Sequence, residues 1–575
     1  MSALAQFLDR DRNYMLALAA VFFVLVGPSA FHYLFYFPDE VFYTDGAAFM
    51  LLHGDYITPY EADGLLRFKK PIFTYWAVVL SYHIFGISQW SSRLPFMIGG
   101  LVSAWFVYRA ARLWLSSHSI IDGDKSREVA LIAFPITLIN LYVLMASTQS
   151  LTDIYLLMWI ACYVWGFIGI WSTADYSPRY TWICYLGGGM AVMAKGIPAL
   201  VFFGLIWLFF LVNPWRRVSI RRLWNTPAII TGLVLGLWWY VAVYLLHGDR
   251  AMQVFFNDQL GERMDPNILL NLGNFLVCLS GLVWLFLPWS AIAASRSSIT
   301  DSSKGESAST ASIADRRSRD LALWWLTAIV AGVMILTASF VYKLYVRYLL
   351  PMYPLVILCY VQLWARSAPS WRMRVLRRTI SVLSIVLSIL FLLICIHIYI
   401  VRSWHWHIVL SLVMAVVIPI AWRKMQHEQW RTGSMHVSAL VCAGFLAFFL
   451  AVVPLSLPGH GKQLYSELQR LDLVDADLTV YHHKKVSSRL RVASGGRVDE
   501  IVQPYPSSAA GQADLMIYHG RDASKLDLRG YDTIGESRIW DSPPYADMVR
   551  YRLDGKDPLE LQQQSDNVWY IVRRR

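Results

Sequence analysis

Apolar runs long enough to cross roughly 30 Å of hydrocarbon recur along most of the chain. They begin near Tyr14, Arg93, Val129, Thr152, Thr181, Pro198, Pro227, Leu272, Leu321, Leu344, Thr379, Ile408 and Val437, which predicts thirteen spanning helices. The first run continues to about Phe37 without a small-x-small pattern before the next polar loop, so it is expected to be retained rather than removed as a signal peptide. After Ser456 the pattern changes. Short apolar runs at Leu478 to Tyr481, Leu515 to Tyr518 and Val568 to Val572 alternate with polar turns and follow a helical repeat at Leu464 to Leu471. The expected fold is therefore a polytopic α-helical membrane protein of about 13 transmembrane helices, with a C-terminal α/β domain. The expected divisions are residues 1–455 and 456–575. Ser295 to Asp320 is rich in Ser, Ala and Thr without apolar periodicity and is expected to be a disordered loop. No internal repeat of the transporter kind is evident.

The segment 38–92 breaks the spanning pattern. Pro38 suits a first helical turn and Gly54 a C-cap, with Val41, Phe42, Phe49, Met50 and Leu52 on the apolar side. A second helix is expected from Pro71 to Gly86, rich in aromatic residues and short for a crossing, so it is read as interfacial. The turn-rich stretch between them, GDYITPYEADGLLRFKK, can carry Arg67, Lys69 and Lys70 back toward Asp39.

Composition agrees with a membrane protein: 56% of residues are apolar, 16% charged, and the mean hydropathy is +0.43. The net charge of +12 does not point to nucleic acid, because the basic residues cluster between apolar runs rather than on one soluble face. With a cytoplasmic N-terminus, cytoplasmic loops exceed the opposite loops in Lys and Arg by about two to one. Thirteen crossings then put the C-terminal domain on the outer side. That domain is electrically balanced, with 17 basic and 17 acidic residues. All six cysteines lie in apolar runs without metal-ligand spacing, so no disulfide framework or zinc site is expected.

The candidate chemistry gathers at the outer face. Asp39 and Glu40 follow the first span, and adjacent residues on a helix diverge by about 100°, so one can face a cavity while the other orients a neighbouring helix. Such a carboxylate can act as a general base or hold a divalent cation, the one cofactor left open; helix-dipole stabilisation is the plainer role. Asp153, just inside the fourth run, is costly at that depth unless it is paired or lines a polar cavity, although it can also serve as an N-cap. Lys70, Lys195, Arg263, Lys343 and Arg347 lie at the same face, where positive charge is disfavoured, and together suit a phosphate-bearing lipid. Asp122-Gly123-Asp124 resembles a nucleotide-sugar metal motif but falls in a short cytoplasmic loop. The His405/His407 and His482-His483 pairs lack sequence partners with metal spacing.

Several strings resemble the bacterial GT-C membrane glycosyltransferases related to protein O-mannosyltransferases and to the aminoarabinose lipid A transferase. These are Asp39-Glu40-Val41-Phe42-Tyr43, GDYITP at Gly54 to Pro59, Lys69-Lys70-Pro71 with Tyr75-Trp76, and FGIS with Arg93-Leu94. SLTDIYLLMW around Asp153, MAKGIPALV around Lys195 and KLYVRYLLPMYP from Lys343 follow in order. The resemblance implies a sugar donor on polyprenyl (undecaprenyl) phosphate, an inverting transfer, and a lipid (lipid A or lipopolysaccharide), glycan or protein acceptor. It implies a bacterial inner membrane location with the C-terminal domain periplasmic. Asp39, Asp153 and Glu40 become the catalytic candidates. Lys70, Lys69, Arg67, Tyr43, Lys195, Arg263, Lys343, Arg347 and Tyr348 become the substrate-binding candidates. Two positions depart from the aminoarabinose pattern: Phe42 stands where Arg is common, and Lys69 where Glu is common, so sugar or acceptor is expected to differ. The alternative is a transporter or flippase of anionic polyprenyl-linked lipids, which would require polar residues running through the membrane.

Overall fold

The computed structural model describes residues 7, 10–31, 38–116, 123–173, 176–215, 218–257, 267–287, 289–290, 310–340, 345–402, 408–409, 412–413, 429–449, 460–508, 511–538, 545–557, 560–563 and 567–575. Among them, seven helices are long and apolar enough to cross a membrane, or eight if the bent pair Ser126–Leu138 and Leu141–Ser147 is one span. The chain is a multi-pass membrane protein. The run near Ile408 lies almost wholly outside the described residues.

The helices that matter for the site are α1 (Asp11–Phe31), α2 (Pro38–His53), α3 (Phe73–Phe85), α4 (Gln89–Ser116), α5 (Thr152–Ser172), α6 (Pro178–Lys195) and α7 (Thr226–His247). Both helices read into the segment 38–92 are present. α2 stops at His53 because Gly54 takes the left-handed conformation, φ 73°, and Gly86 ends α3 in the same way at φ 80°. α3, at 13 residues, is too short to span.

α5 is the centre of the bundle and is buried along nearly its whole length. Small residues let its neighbours approach closely, the usual device where lipid removes the hydrophobic drive for helix association. A side chain at Gly187 of α6 would fall 2.6 Å from the Tyr163 backbone nitrogen of α5, and Gly99 of α4 packs on the Tyr155 ring. At the next crossing, a Cβ on Gly232 of α7 would lie 2.6 Å from the Tyr185 carbonyl oxygen of α6.

Residues 310–320 differ from expectation. They form the first turns of a helix that runs from Thr310 to Ser339, and its Asp320 accepts hydrogen bonds from Gln362 and Arg366, which fix the end that polar composition alone marks as disordered.

The C-terminal part is a mixed sheet with helices α8 (His460–Arg470) and α9 (Lys484–Ala493). Strands β1 (Thr479–Val480), β2 (Leu515–His519), β3 (Tyr531–Arg538) and β4 (Val568–Arg574) are ordered β1-β2-β4-β3, with β1 parallel to β2 and the other pairs antiparallel. β2 is buried on both faces: Leu515 and Ile517 meet α8 and α9, while Met516 and Tyr518 pack against Leu526 and Val572.

This unit is stitched to the segment 38–92. Ala62 enters the hydrophobic core beneath the sheet, and its carbonyl accepts the Val502 N–H at 2.8 Å. Arg491 of α9, fully buried, pairs with Asp45 of α2 and donates to Asp499 at 2.6 Å, while the Ser488 hydroxyl donates to Asp45 at 2.8 Å.

Gly232→Val should force α6 and α7 apart and destabilise the protein by about 1–3 kcal/mol. Thermal unfolding in detergent should show the melting temperature falling by a few degrees, whereas Gly204→Ala, which meets open space, should leave it unchanged.

Candidate active site

Asp153 is buried in the first turn of α5, where the positive end of the helix favours a carboxylate. Leu151 occupies the cap position, so capping does not account for the acid. Lys195 is the last residue of α6, released from the helix by Gly196 at φ 71°, and its Nζ donates to Asp153 at 2.5 Å. Arg347 lies on a 3-10 turn, Val346–Met352, with its Nε 3.4 Å from Asp153 and its Nη2 donating to Asp39 at 3.0 Å. Aromatic faces flank both cations: Lys195 lies 4.8 Å from the Tyr348 ring centroid and Arg347 lies 4.2 Å from that of Tyr345.

Asp39 and Glu40 diverge as adjacent helical residues must. The Asp39 side chain is 47% exposed and faces the cavity. Glu40 is fully buried, accepts Arg93 Nε at 2.5 Å and Nη2 at 2.8 Å, and also takes the Ser150 N–H at 3.0 Å. It ties α2 to α4 and to the turn before α5, and it does not line the cavity.

The cavity encloses about 770 Å³ including its open mouth. Asp39, Tyr43, Arg67, Lys69, Lys70, Asp153, Lys195, Arg347 and Tyr348, all singled out from sequence, line it. Arg263 and Lys343 lie outside the described residues, as does Asp122. Phe42, Glu61, Leu151, Thr152 and Lys484 complete the wall. The six cations exceed the three carboxylates, so the lining carries a surplus of three positive charges suited to an anionic ligand.

The mouth is built differently from the floor. Arg67, buried, donates to Glu61 at 2.6 Å and lies over the Phe42 ring at 4.1 Å, so the apolar residue at position 42 supplies a platform for a guanidinium. Lys484 of α9 pairs with Glu61 and lies 3.3 Å from Asp63. Burial alone would raise the Glu61 carboxyl, but the Lys484 hydrogen bond and the Arg67 charge outweigh it and hold Glu61 below the usual carboxylate range. This clasp is therefore intact at neutral pH and is lost only as acid protonates Glu61.

Residues 69–241 match the family described as dolichyl-phosphate-mannose-protein mannosyltransferase. That segment belongs to this glycosyltransferase family. It carries Lys69, Lys70, Asp153 and Lys195 of the cavity. The undecaprenyl phosphate-alpha-4-amino-4-deoxy-L-arabinose arabinosyl transferase 2 of Proteus mirabilis is 29% identical over 254 residues, 42% of each chain. The corresponding Yersinia pestis transferase is 29% identical over 231 residues, 40% of each chain. The match thus spans well under half of these relatives' length. The fold is similar throughout to that of ArnT from Cupriavidus metallidurans, with a TM-score of 0.67 at 16% identity over 98% of both chains. A second structure of that protein, bound to undecaprenyl phosphate, gives 0.64 at 17% identity over 97% of both chains.

Sequence reading passed over Glu61 and Lys484. Glu61 is one of three acids, with Asp55 and Asp63, in the turn-rich stretch before Arg67, and nothing local sets it apart. Lys484 carries no local signal, since only the docking of α9 brings it to the mouth.

Arg93→Met should strand the buried Glu40 carboxylate and cost about 3–5 kcal/mol, whereas the double change with Glu40→Gln should recover much of the loss. Thermal unfolding of the two variants in detergent measures the difference.

Proposed function

We propose that this chain transfers one sugar, with inversion, from an undecaprenyl-phosphate carrier to a lipid, glycan or protein acceptor at the periplasmic face. In this reading, residues 1–455 form the transferase and 456–575 its periplasmic domain. The observation that carries the proposal is the pairing in one cavity of a half-exposed carboxylate, Asp39, with a floor in which Asp153 holds Lys195 and Arg347. The family match and the relatives' use of undecaprenyl-phosphate sugars support the choice of donor.

The chemistry follows from these positions. Asp39 takes the proton of the acceptor hydroxyl as its oxygen attacks the anomeric carbon. The bond from that carbon to the phosphate oxygen breaks on the opposite face, and the electron pair leaves with undecaprenyl phosphate. Lys70, Lys195 and Arg347 offset the charge that grows on the phosphate, worth most in a cavity shielded from water. An acceptor that is already an ionised phosphate needs no base, and Asp39 then orients it. Asp153 positions the two cations beside it. Beyond Asp153, α5 carries no further charged residue, which favours transfer at one face over passage through the membrane.

Purified protein given an undecaprenyl-phosphate sugar and an acceptor fraction should release undecaprenyl phosphate and label the acceptor. Asp39→Asn, Asp153→Asn and Lys70→Ala should each slow transfer by about 10²-fold or more. Because Asp39 is half-exposed, its variant should keep the wild-type melting temperature. Rates unchanged in all three variants would sink this site.

A further inference from the structure

We propose that the C-terminal unit binds a divalent transition metal, zinc being the best fit, through His483, His519 and Asp522. His519 and Asp522 are near neighbours, at the end of β2 and in the 3-10 turn that follows it, while His483, the residue before α9, comes from an earlier part of the unit. Each presents one ligand atom, and these atoms all lie within 4.8 Å of one another. His483 Nε2 and Asp522 Oδ2 are 3.2 Å apart, close to the separation of two ligands on one tetrahedral ion with bonds of about 2.0–2.1 Å. Two imidazoles and one carboxylate are the ligand types that zinc accepts, and such three-ligand sets leave a fourth position for water.

The surroundings prepare these groups. Asn567 Oδ1 accepts from His519 Nε2 at 3.0 Å and from Trp569 Nε1 at 3.2 Å. With the ring so held, its proton sits on Nε2 and the lone pair lies on Nδ1, the arrangement that an outer hydrogen bond imposes on a ligating histidine. Nδ1 now accepts the Arg521 N–H at a long 3.2 Å, a bond an ion would replace. Lys525 holds the other carboxylate oxygen, Asp522 Oδ1, at 2.5 Å, which leaves Oδ2 turned to His483.

The backbone adds an independent sign. His482, directly before His483, has φ 57°, a conformation non-glycine residues adopt at a cost and one that clusters where a side chain must be aimed. His482 itself stacks on Tyr505 with centroids 4.8 Å apart, while His483 turns the other way, edge-on to Trp569. Because Lys484 follows immediately, an ion held here would fix the start of α9 and the lysine at the cavity mouth.

Full-length protein purified in detergent without a histidine tag and stripped with chelator should take up one Co²⁺ per chain, with the visible absorption of a tetrahedral site, and Zn²⁺ should displace it. His483→Gln, His519→Gln and Asp522→Asn should each weaken Co²⁺ binding by about 10–100-fold. His83→Gln, an exposed histidine on α3, should bind as wild type does. Zn²⁺ should raise the melting temperature of the wild type and leave that of the His483→Gln/His519→Gln double variant unmoved. No saturable uptake by the wild type would overturn the proposal. Equal affinity in the wild type and in variants that retain its circular dichroism spectrum would do the same.

Discussion

The cavity rests on one buried carboxylate. Asp153 is held in an apolar bundle by Lys195 and Arg347, and removing it would strip two buried cations of their shared partner. That constraint dictates much of the surrounding architecture. α6 must end at Gly196 so that Lys195 leaves the helix at the depth of Asp153, and the chain after residue 345 must form a tight 3-10 turn to bring in Arg347. Arg347 then reaches Asp39, so α2 is drawn to the same point. A single acid thereby organises four segments that are remote in sequence.

Glu40 shows how the same physics separates structural from cavity-facing groups. It is one residue from Asp39, yet its two oxygens are consumed by Arg93 and the Ser150 amide and it sees no solvent. Asp39 keeps one partner and an open side. A carboxylate with spare acceptor capacity facing a cationic cavity can meet a substrate, whereas one with none can only hold helices together.

The C-terminal unit is part of the cavity rather than an appendage. Arg491 is fully buried between Asp45 and Asp499, Ala62 is inserted beneath the sheet, and Lys484 stands at the mouth opposite Glu61. Asp45 lies six residues along α2 from Asp39, so its pair with Arg491 fastens this unit to the helix that carries the cavity's exposed carboxylate. The balanced charge of this unit conceals such roles, because Arg491 and Lys484 find Asp45, Glu61 and Asp63 outside it.

The sequence by itself determined the membrane-spanning character, the two short helices of the segment 38–92 and three of the four strands. Each follows from a period, a proline or a glycine acting on its neighbours. It also singled out Asp39, Asp153, Lys195 and Arg347, because charge beside apolar runs is conspicuous. Only the tertiary structure decided that Glu40 turns away from the cavity, that Glu61 and Lys484 form its mouth, and that His483 meets His519 and Asp522. These outcomes depend on which surfaces dock. A side chain's partner across 39 residues or 423 is set by packing between elements, of which local periodicity carries no trace.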